Sequence, residues 1–498
     1  GAWDRGLSWT GSLRARNLDP ATIHPDLSGT VNLDVDGSVR SPEAGTFEAR
    51  LKGRLLQSRL RDRALVGDVD ARWQAGMLKL ERLFLQGAGF EARAAGALEE
   101  RLTWGAQVSD PSALVPGSSG RLHANGWVRF AKDRLSGVAT VRGSRLAFYG
   151  FRTASVEADA ELGSGETQRL EARVFLKGPA VGPVRVDTAQ VKSTGTVGDH
   201  AIRVLLESGE GRMEATLRGG CEKAAWKGSL EVLRGTDAAG PWGLQAPAPI
   251  TFSAVRSSVG PLLIAGGEGE SFEFSMDVSG DPGKGFLAAG WRKLNLARFG
   301  FVLPDWRIQG RTEGRFRADF RGKSRTAVSS EAALAANLAR GSQTLDVKET
   351  AGKLDWDDSG LAAFARADLG PSVRVDARIK SPDPPRFGVP DRGDFRITAD
   401  GLDAALFQPL LPDALAMTGT LSGTAAGRLR PRSQWDVAGE ARLSGGGFSL
   451  KDEKGQVAAQ AEKAQLRWAW REKTLSGALD LRLARHGTLE AAFRLPVP

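Results

Sequence analysis

Residues Thr474–Val497 read TLSGALDLRLARHGTLEAAFRLPV, and their apolar side chains fall on every second position. Leu475, Leu479, Leu481 and Leu483 alternate with Ser476, Asp480 and Arg482. After His486-Gly487 the same beat resumes with Leu489, Ala491, Phe493, Leu495 and Val497. A period of two puts one set of side chains on one face of a β-strand, and a His-Gly break between two such runs predicts a hairpin. Each strand then carries one apolar and one polar face.

The pattern extends upstream through the whole chain. Val31, Leu33, Val35 and Val39 alternate with polar neighbours, as do Phe47, Ala49, Leu51 and Leu55. The runs Val156–Leu162, Leu170–Leu176, Ile202–Leu206 and Met213–Leu217 follow, then Phe272, Phe274, Met276 and Val278, then Val373, Val375, Ala377 and Ile379, then Phe395 and Ile397. The runs return every 10–14 residues or so, punctuated by Gly, Asp-Gly, Ser-Gly or Pro, which is the spacing of an antiparallel meander. A doubly wound α/β fold would read as continuous apolar runs instead. Ala332–Arg340 has helical propensity but sits amid strand signals and reads as strand. The expected fold is all-β: an elongated, curved, repetitive antiparallel sheet of about 35–40 strands, spanning on the order of 150–190 Å if unbroken. Sheets of that size stay open rather than closing into a globule.

Four short segments interrupt the beat. The fullest, Asp400–Arg430 (DGLDAALFQPLLPDALAMTGTLSGTAAGRLR), places Leu402, Leu406 and Leu410 on a helical stripe, stops at Leu411-Pro412 and continues through Gly419, Gly423 and Gly427. Simpler copies begin at Leu18 (to Gly29), at Asp110 (to Gly120) and at Leu294, with Gly310 and Gly314 behind it. Each reads as a joint with a polar start, a Leu/Val-Pro stop and a glycine-led return to strand. Breaker clusters at Gly235–Pro249 and Ser381–Pro390 suggest three sections, 1–240, 241–390 and 391–498, or one continuous domain.

Composition narrows function by exclusion. The 498 residues carry a net charge of +9, with 17 lysines and 51 arginines among the 68 basic residues. The sequence pI is near 9.8. Basic and acidic residues interleave, as in EARLKGRLLQSRLRDR, whereas nucleic-acid binders cluster their cations. A single cysteine, Cys221, leaves no intrachain disulfide and no thiolate metal cluster. No apolar run approaches 18 residues. His24, His123, His200 and His486 are scattered and read as turn or surface residues. Gly266-Gly267-Glu268-Gly269 has no following Lys and fails as a phosphate loop, and Asp355, Asp357 and Asp358 read as a hairpin turn rather than a calcium loop. Nothing points to catalysis, a cofactor or a metal.

The alternating residues are the candidate site. Thirteen tryptophans against one tyrosine make the aromatic surface apolar, suited to a lipid groove more than to a sugar cleft. Candidate groove residues are Phe47, Leu51 and Leu55; Phe272, Phe274 and Met276; Val373, Val375 and Ile379; and Leu479, Leu481, Leu483, Phe493 and Leu495. The competing reading packs the same face against a second sheet in a sandwich.

The module from Leu402 through LLPDALAMTGTLSGTAAGRL, WDVAGEARLSGGGFSLKDEKGQVAAQAEKAQLRW and TLSGALDLRL resembles the TamB-type translocation and assembly module proteins of the AsmA-like group. LDPATIHPDLSGTVNLDVDGSV, TFEARLKGRLLQSRLRDRALVGDVDARW and MLKLERLFLQGAGFEARAAGALEERLTWGAQVSDPSALVPGSSGRLHANG repeat the idea in the first half. The likeness weakens between about Ala180 and Gly290. It implies a β-taco with an apolar concave face, acting in the periplasm from an inner-membrane anchor and reaching toward an outer-membrane barrel partner of TamA type. It also implies phospholipid as cargo, carried by its acyl chains, and a role in outer-membrane protein assembly. The chain would then be a middle section of such a protein. Two other functions fit the pattern: a chaperone that receives unfolded barrel strands by β-augmentation, and a glycan-binding β-solenoid.

Overall fold

The computed structural model describes all residues except 1–6, 23–28, 42–46, 61–62, 75, 132, 183, 281–282, 303–305, 323–325, 341–342, 371–372, 386–389, 406–414, 431–433, 453–454, 486 and 497–498. The described residues form 33 strands and four short 3-10 helices. Ala332–Arg340 lies within the strand Thr326–Arg340. The chain divides into two units, Gly1–Thr236 and Asp237–Pro498, and the division falls inside the Gly235–Pro249 breaker cluster.

In the first unit, strands from Leu7–Leu18 to Arg169–Lys177 pair antiparallel, each with the next. Arg169–Lys177 then pairs with Thr188–Thr196, and the small hairpin Ala180–Val181/Val184–Arg185 sits beside the start of Phe151–Leu162. In the second unit Gly240–Leu244 and Ala248–Ser253 both pair with Arg256–Gly266. From there the meander runs through to Gly487–Pro496.

These sheets are single layers. The chain exposes 31392 Å². Two separate compact globules, each half of its 53.0 kDa, would expose roughly 21,000 Å². No large side chain among the described residues is fully enclosed. A sandwich would bury an entire row of large side chains per strand, so the open sheet is the fold.

The four joints share a construction. At each, an Asp or Asn side chain accepts the backbone N–H two residues on: Asp19 from Ala21 (3.0 Å), Asp110 from Ser112 (3.1 Å), Asn295 from Ala297 (3.0 Å) and Asp403 from Ala405 (2.9 Å). This is the local bond that lets Asx residues compete with a strand ladder. At three of them the residue two before the Asx has a positive φ (Asn17 54°, Lys293 51°, Gly401 72°), and the strand register slips there. The chain returns to strand through Gly120, Gly310 and Gly419 at φ 113°, 139° and 110°. A Cβ at Gly310 would overlap the Ala335 carbonyl, so that return needs glycine.

One expectation is corrected here. Leu402 belongs to the strand Gly393–Asp403, opposite Leu421, and not to a helical stripe, because the Gly401 bulge turns it back onto the apolar face. Leu406 and Leu410 lie outside the described residues. Gly423 and Gly427 are interior to the strand Leu415–Arg430.

Candidate apolar trough

Directly opposed residues in an antiparallel ladder point to the same face, so the register settles what the trough contains. Phe272 lies between Ile264 and Trp291, Phe274 between Leu262 and Ala289, and Met276 between Val259 and Leu287. Val375 lies between Ala367 and Ala399, Ile379 between Ala363 and Phe395, and Val373 opposite Gly370. Leu479 lies between Leu466 and Ala491, Leu481 between Ala464 and Leu489, and Leu483 between Ala461 and Gly487. Phe493 faces Gly477, and Leu495 faces Leu475. In the first unit Leu51 lies between Gly37 and Ala71, and Leu55 between Leu33 and Gly67. Phe47 precedes its strand and is half exposed.

Each set belongs to one row that crosses its unit strand after strand. In the first unit the row continues through Val69, Leu83, Ala94, Trp104, Gly126, Ala139, Ala160 and Ala172. Alanines and glycines that no hydrophobicity count would select fill the same face in the second unit: Ala289 beside Phe274 and Phe316, and Ala332, Gly352 and Ala365 in the neighbouring row from Trp291. Strand parity was the signal that could have found them.

Exposure follows the same parity on some strands, although Leu51, Leu83, Ile379 and Leu495 of the apolar face are exposed. Along Arg307–Arg321, the residues Ile308, Gly310, Thr312, Gly314 and Phe316 are half-buried and Ala318 is buried, whereas Arg307, Gln309, Arg311, Glu313, Arg315 and Arg317 are exposed. A flat single layer would expose both faces alike.

The floor of the trough is smooth. Several large aromatics lie over a glycine directly opposite: Trp104 over Gly126, Trp291 over Gly314, Phe395 over Gly427, Trp468 over Gly439 and Phe493 over Gly477. A Cβ at Gly439 would lie 2.8 Å from the Trp468 ring, and one at Gly314 2.6 Å from Trp291. The glycine lets the ring lie flat rather than stand up in the channel, a pairing also used to protect glycine in designed sheets. We expect Gly439→Val to lever the Trp468 indole outward at a cost of about 1–3 kcal/mol, visible as a lower urea midpoint and a red-shifted tryptophan emission. Unchanged emission would count against the stacking.

The opposite face is polar and ion-paired across strands. Asp70 accepts from Arg50 at 3.0 Å, Asp159 from Arg142 at 3.0 Å and Glu214 from Arg234 at 2.7 Å, with Arg203 also on Glu214 at 2.6 Å. The bond from Arg50 holds the Asp70 carboxyl below its ordinary range, and those from Arg234 and Arg203 do the same for Glu214. The exposed pairs, such as Arg142–Asp159, each contribute about 0–1 kcal/mol, so their main effect is a hydrated outer surface; Glu214 is buried between its two arginines. The dents of the polar face, of about 470, 520, 570 and 590 Å³, are interstices among such side chains, for example Arg315, Glu331 and Lys353.

Glu214, Glu270 and Asp383 are buried carboxylates, and Glu270 is held in a clamp. Arg298, in the 3-10 segment Leu296–Val302, is 11% exposed and donates through Nη1 to Asp237 (2.5 Å) and to the Gly240 carbonyl (3.2 Å). Its Nε and Nη2 donate to Glu270 at 2.8 and 2.5 Å. Glu270, 6% exposed, also accepts the Asn295 N–H at 2.9 Å. Burial pushes the Glu270 carboxyl up, but the donors from Arg298 and Asn295 outweigh it and hold the group below its ordinary range. Hydrogen bonds to Glu270 and Asp237 raise Arg298 against its own desolvation. Sequence reasoning missed this clamp because its members lie 28 and 61 residues apart.

His200 is also corrected: it is 5% exposed, not a surface residue. Its Nε2 accepts from Trp226 Nε1 at 3.0 Å, which puts the proton on Nδ1, 3.0 Å from the Thr196 carbonyl oxygen. The Asp357 carboxylate accepts the Ser359 N–H (2.8 Å) and closes the expected hairpin turn. No group of three or more metal-ligating side chains occurs among the described residues, and no described helix is long and apolar enough to cross a membrane.

Fold and face together define an open single-layer β protein with an apolar stripe along one face of its strands. The chain belongs to the TamB family: the model of the TamB N-terminal domain matches residues 2–370. No curated protein and no solved structure matches it. The family is one of envelope assembly and transport factors, part of the translocation and assembly module with an outer-membrane partner of TamA type. Residues beyond 370 continue the same meander and the same apolar parity.

Proposed function

We propose that the apolar trough carries phospholipids by their acyl chains between the inner and outer membranes, and supports outer-membrane protein assembly through that supply. On this reading the chain works in the periplasm, tethered to the inner membrane and directed toward a TamA-type barrel. The observation that carries the proposal is the apolar row that crosses consecutive strands in each unit without a second layer over it. Water contact costs an acyl chain about 0.8 kcal/mol per CH₂. A lipid leaving a bilayer therefore needs apolar surface at each step along its route. A smooth floor without fixed polar contacts lets the chain slide rather than stop. A photoreactive residue at Phe274, and another at Leu55, should capture phospholipid in cells. Absence of a lipid adduct at both positions would overturn the reading.

A further inference from the structure

We infer that the apolar face of the strands Leu415–Arg430, Gln434–Asp452, Gly455–Arg471 and Thr474–Leu483 is an acyl-chain site that the protein occupies with its own segment, Leu402–Ala405. The inference rests on the lipid reading above and adds a resident occupant that a lipid must displace.

Burial is the first observation. Large candidate residues elsewhere on the trough face, such as Phe274, Met276 and Val375, are half-buried, and single small ones such as Ala318 and Ala336 are buried. Here Ala404 has no exposed surface, and Leu443, Ala461 and Ala464 are each 6% exposed in one cluster with it. Met417, Leu421, Phe448 and Leu481 pack around them. The cluster draws on four consecutive strands, and Ala404 is its fully covered member.

Chain geometry delivers Ala404 there. The Gly401 bulge at φ 72° is held by its N–H on Ser422 Oγ (3.2 Å), and Ser422 donates in turn to Asp400 (2.7 Å). Leu402 then pairs with Leu421, and the Asp403 turn onto the Ala405 N–H directs Ala404 onto the face.

The kind of contact is the third observation. The joint at Leu296–Val302 is locked by the Arg298 clamp, and the joint at Asp110 by Arg63 at 2.6 Å. Ala404 is held by aliphatic contacts, the same chemistry an acyl chain offers. A methylene chain can replace it without leaving a buried charge unpaired, which would not hold at the Arg298 joint. Leu481 therefore lines a covered stretch of the trough, and Phe274 an uncovered one.

The test uses the whole chain in a Cys221→Ser background with Ala404→Cys and Ala464→Cys. A photoreactive residue is placed at Leu481 or at Phe274, and vesicles of phosphatidylethanolamine and phosphatidylglycerol supply lipid. Closing the disulfide should lower the lipid adduct at Leu481 at least about fivefold and leave that at Phe274 in place, with recovery on reduction. Equal adduct at Leu481 in the oxidised and reduced states overturns the inference. A second arm needs no lipid: Ala464→Cys alone should react with a maleimide several-fold faster when Ala404→Asp is added. Equal rates show that Ala404 does not cover the face and also overturn it. Loss of adduct at Phe274 in every state would instead bring down the lipid reading, leaving the maleimide arm to decide whether the segment covers the face.

Discussion

The Glu270→Ala substitution is expected to destabilise the Asp237–Pro498 unit by about 3–5 kcal/mol, because it strands the Arg298 guanidinium in a buried position with one carboxylate removed. Hydrogen exchange at Asn295, whose N–H is bonded to Glu270, should report the loss first. Replacing all three members together, Arg298→Met with Glu270→Leu and Asp237→Leu, should cost far less, since an apolar substitute removes the desolvation along with the attraction. A large loss in the triple variant as well would mean that packing, not charge pairing, holds the joint. Acid sensitivity follows from the direction of the shift. The folded Glu270 carboxyl sits below its unfolded value of about 4.3, so its contribution is fully present above that pH. It is lost as pH falls through the lower folded value. The stability gap between the parent and Glu270→Gln should therefore narrow below about pH 4, where the parent too loses its charge.

Phe274→Asp has the largest expected effect on transport. Phe274 sits mid-row between Leu262 and Ala289 and is half-buried. A carboxylate there keeps its water, so two or three methylenes of a passing chain lose apolar contact, at about 2 kcal/mol. That raises the barrier at one step by a factor of about 30. The fold should survive, because the position is half-buried and water reaches it. Circular dichroism should be unchanged while lipid transfer falls by more than tenfold. Transfer at the parental rate would show that this row does not lie on the path.

The strands and the choice of face were legible in the sequence because a period of two is a local property. Phe272, Phe274 and Met276 announce their face without reference to any other strand. What stayed hidden was non-local or conformational. Asn17, Lys293 and Gly401 adopt positive φ and shift the register, and Lys293 is of a residue type that gives no sign of it. Leu402 resembled a helical residue since its spacing to Leu406 and Leu410 is helical, yet a bulge and the partner Leu421 decide its place. His200 looked incidental until Trp226, 26 residues later, supplied its bond. The sandwich alternative could not be dismissed by alternation alone, because both folds write the same pattern. Exposed area separated them.

The meander also makes the chain a ruler. Within each unit most strands pair only with their sequence neighbours, so insertion or removal of a whole hairpin leaves every other pairing and the facing of every side chain intact. Each such unit of about 25 residues changes the array by two strand spacings, about 10 Å. Reach would thus be tunable by duplication in fixed increments, while losing one strand alone would reverse chain direction and break the ladder beyond it. Stability should behave likewise, as a sum of nearest-neighbour terms, so that damage to one strand frays its neighbours before it is felt far along the sheet.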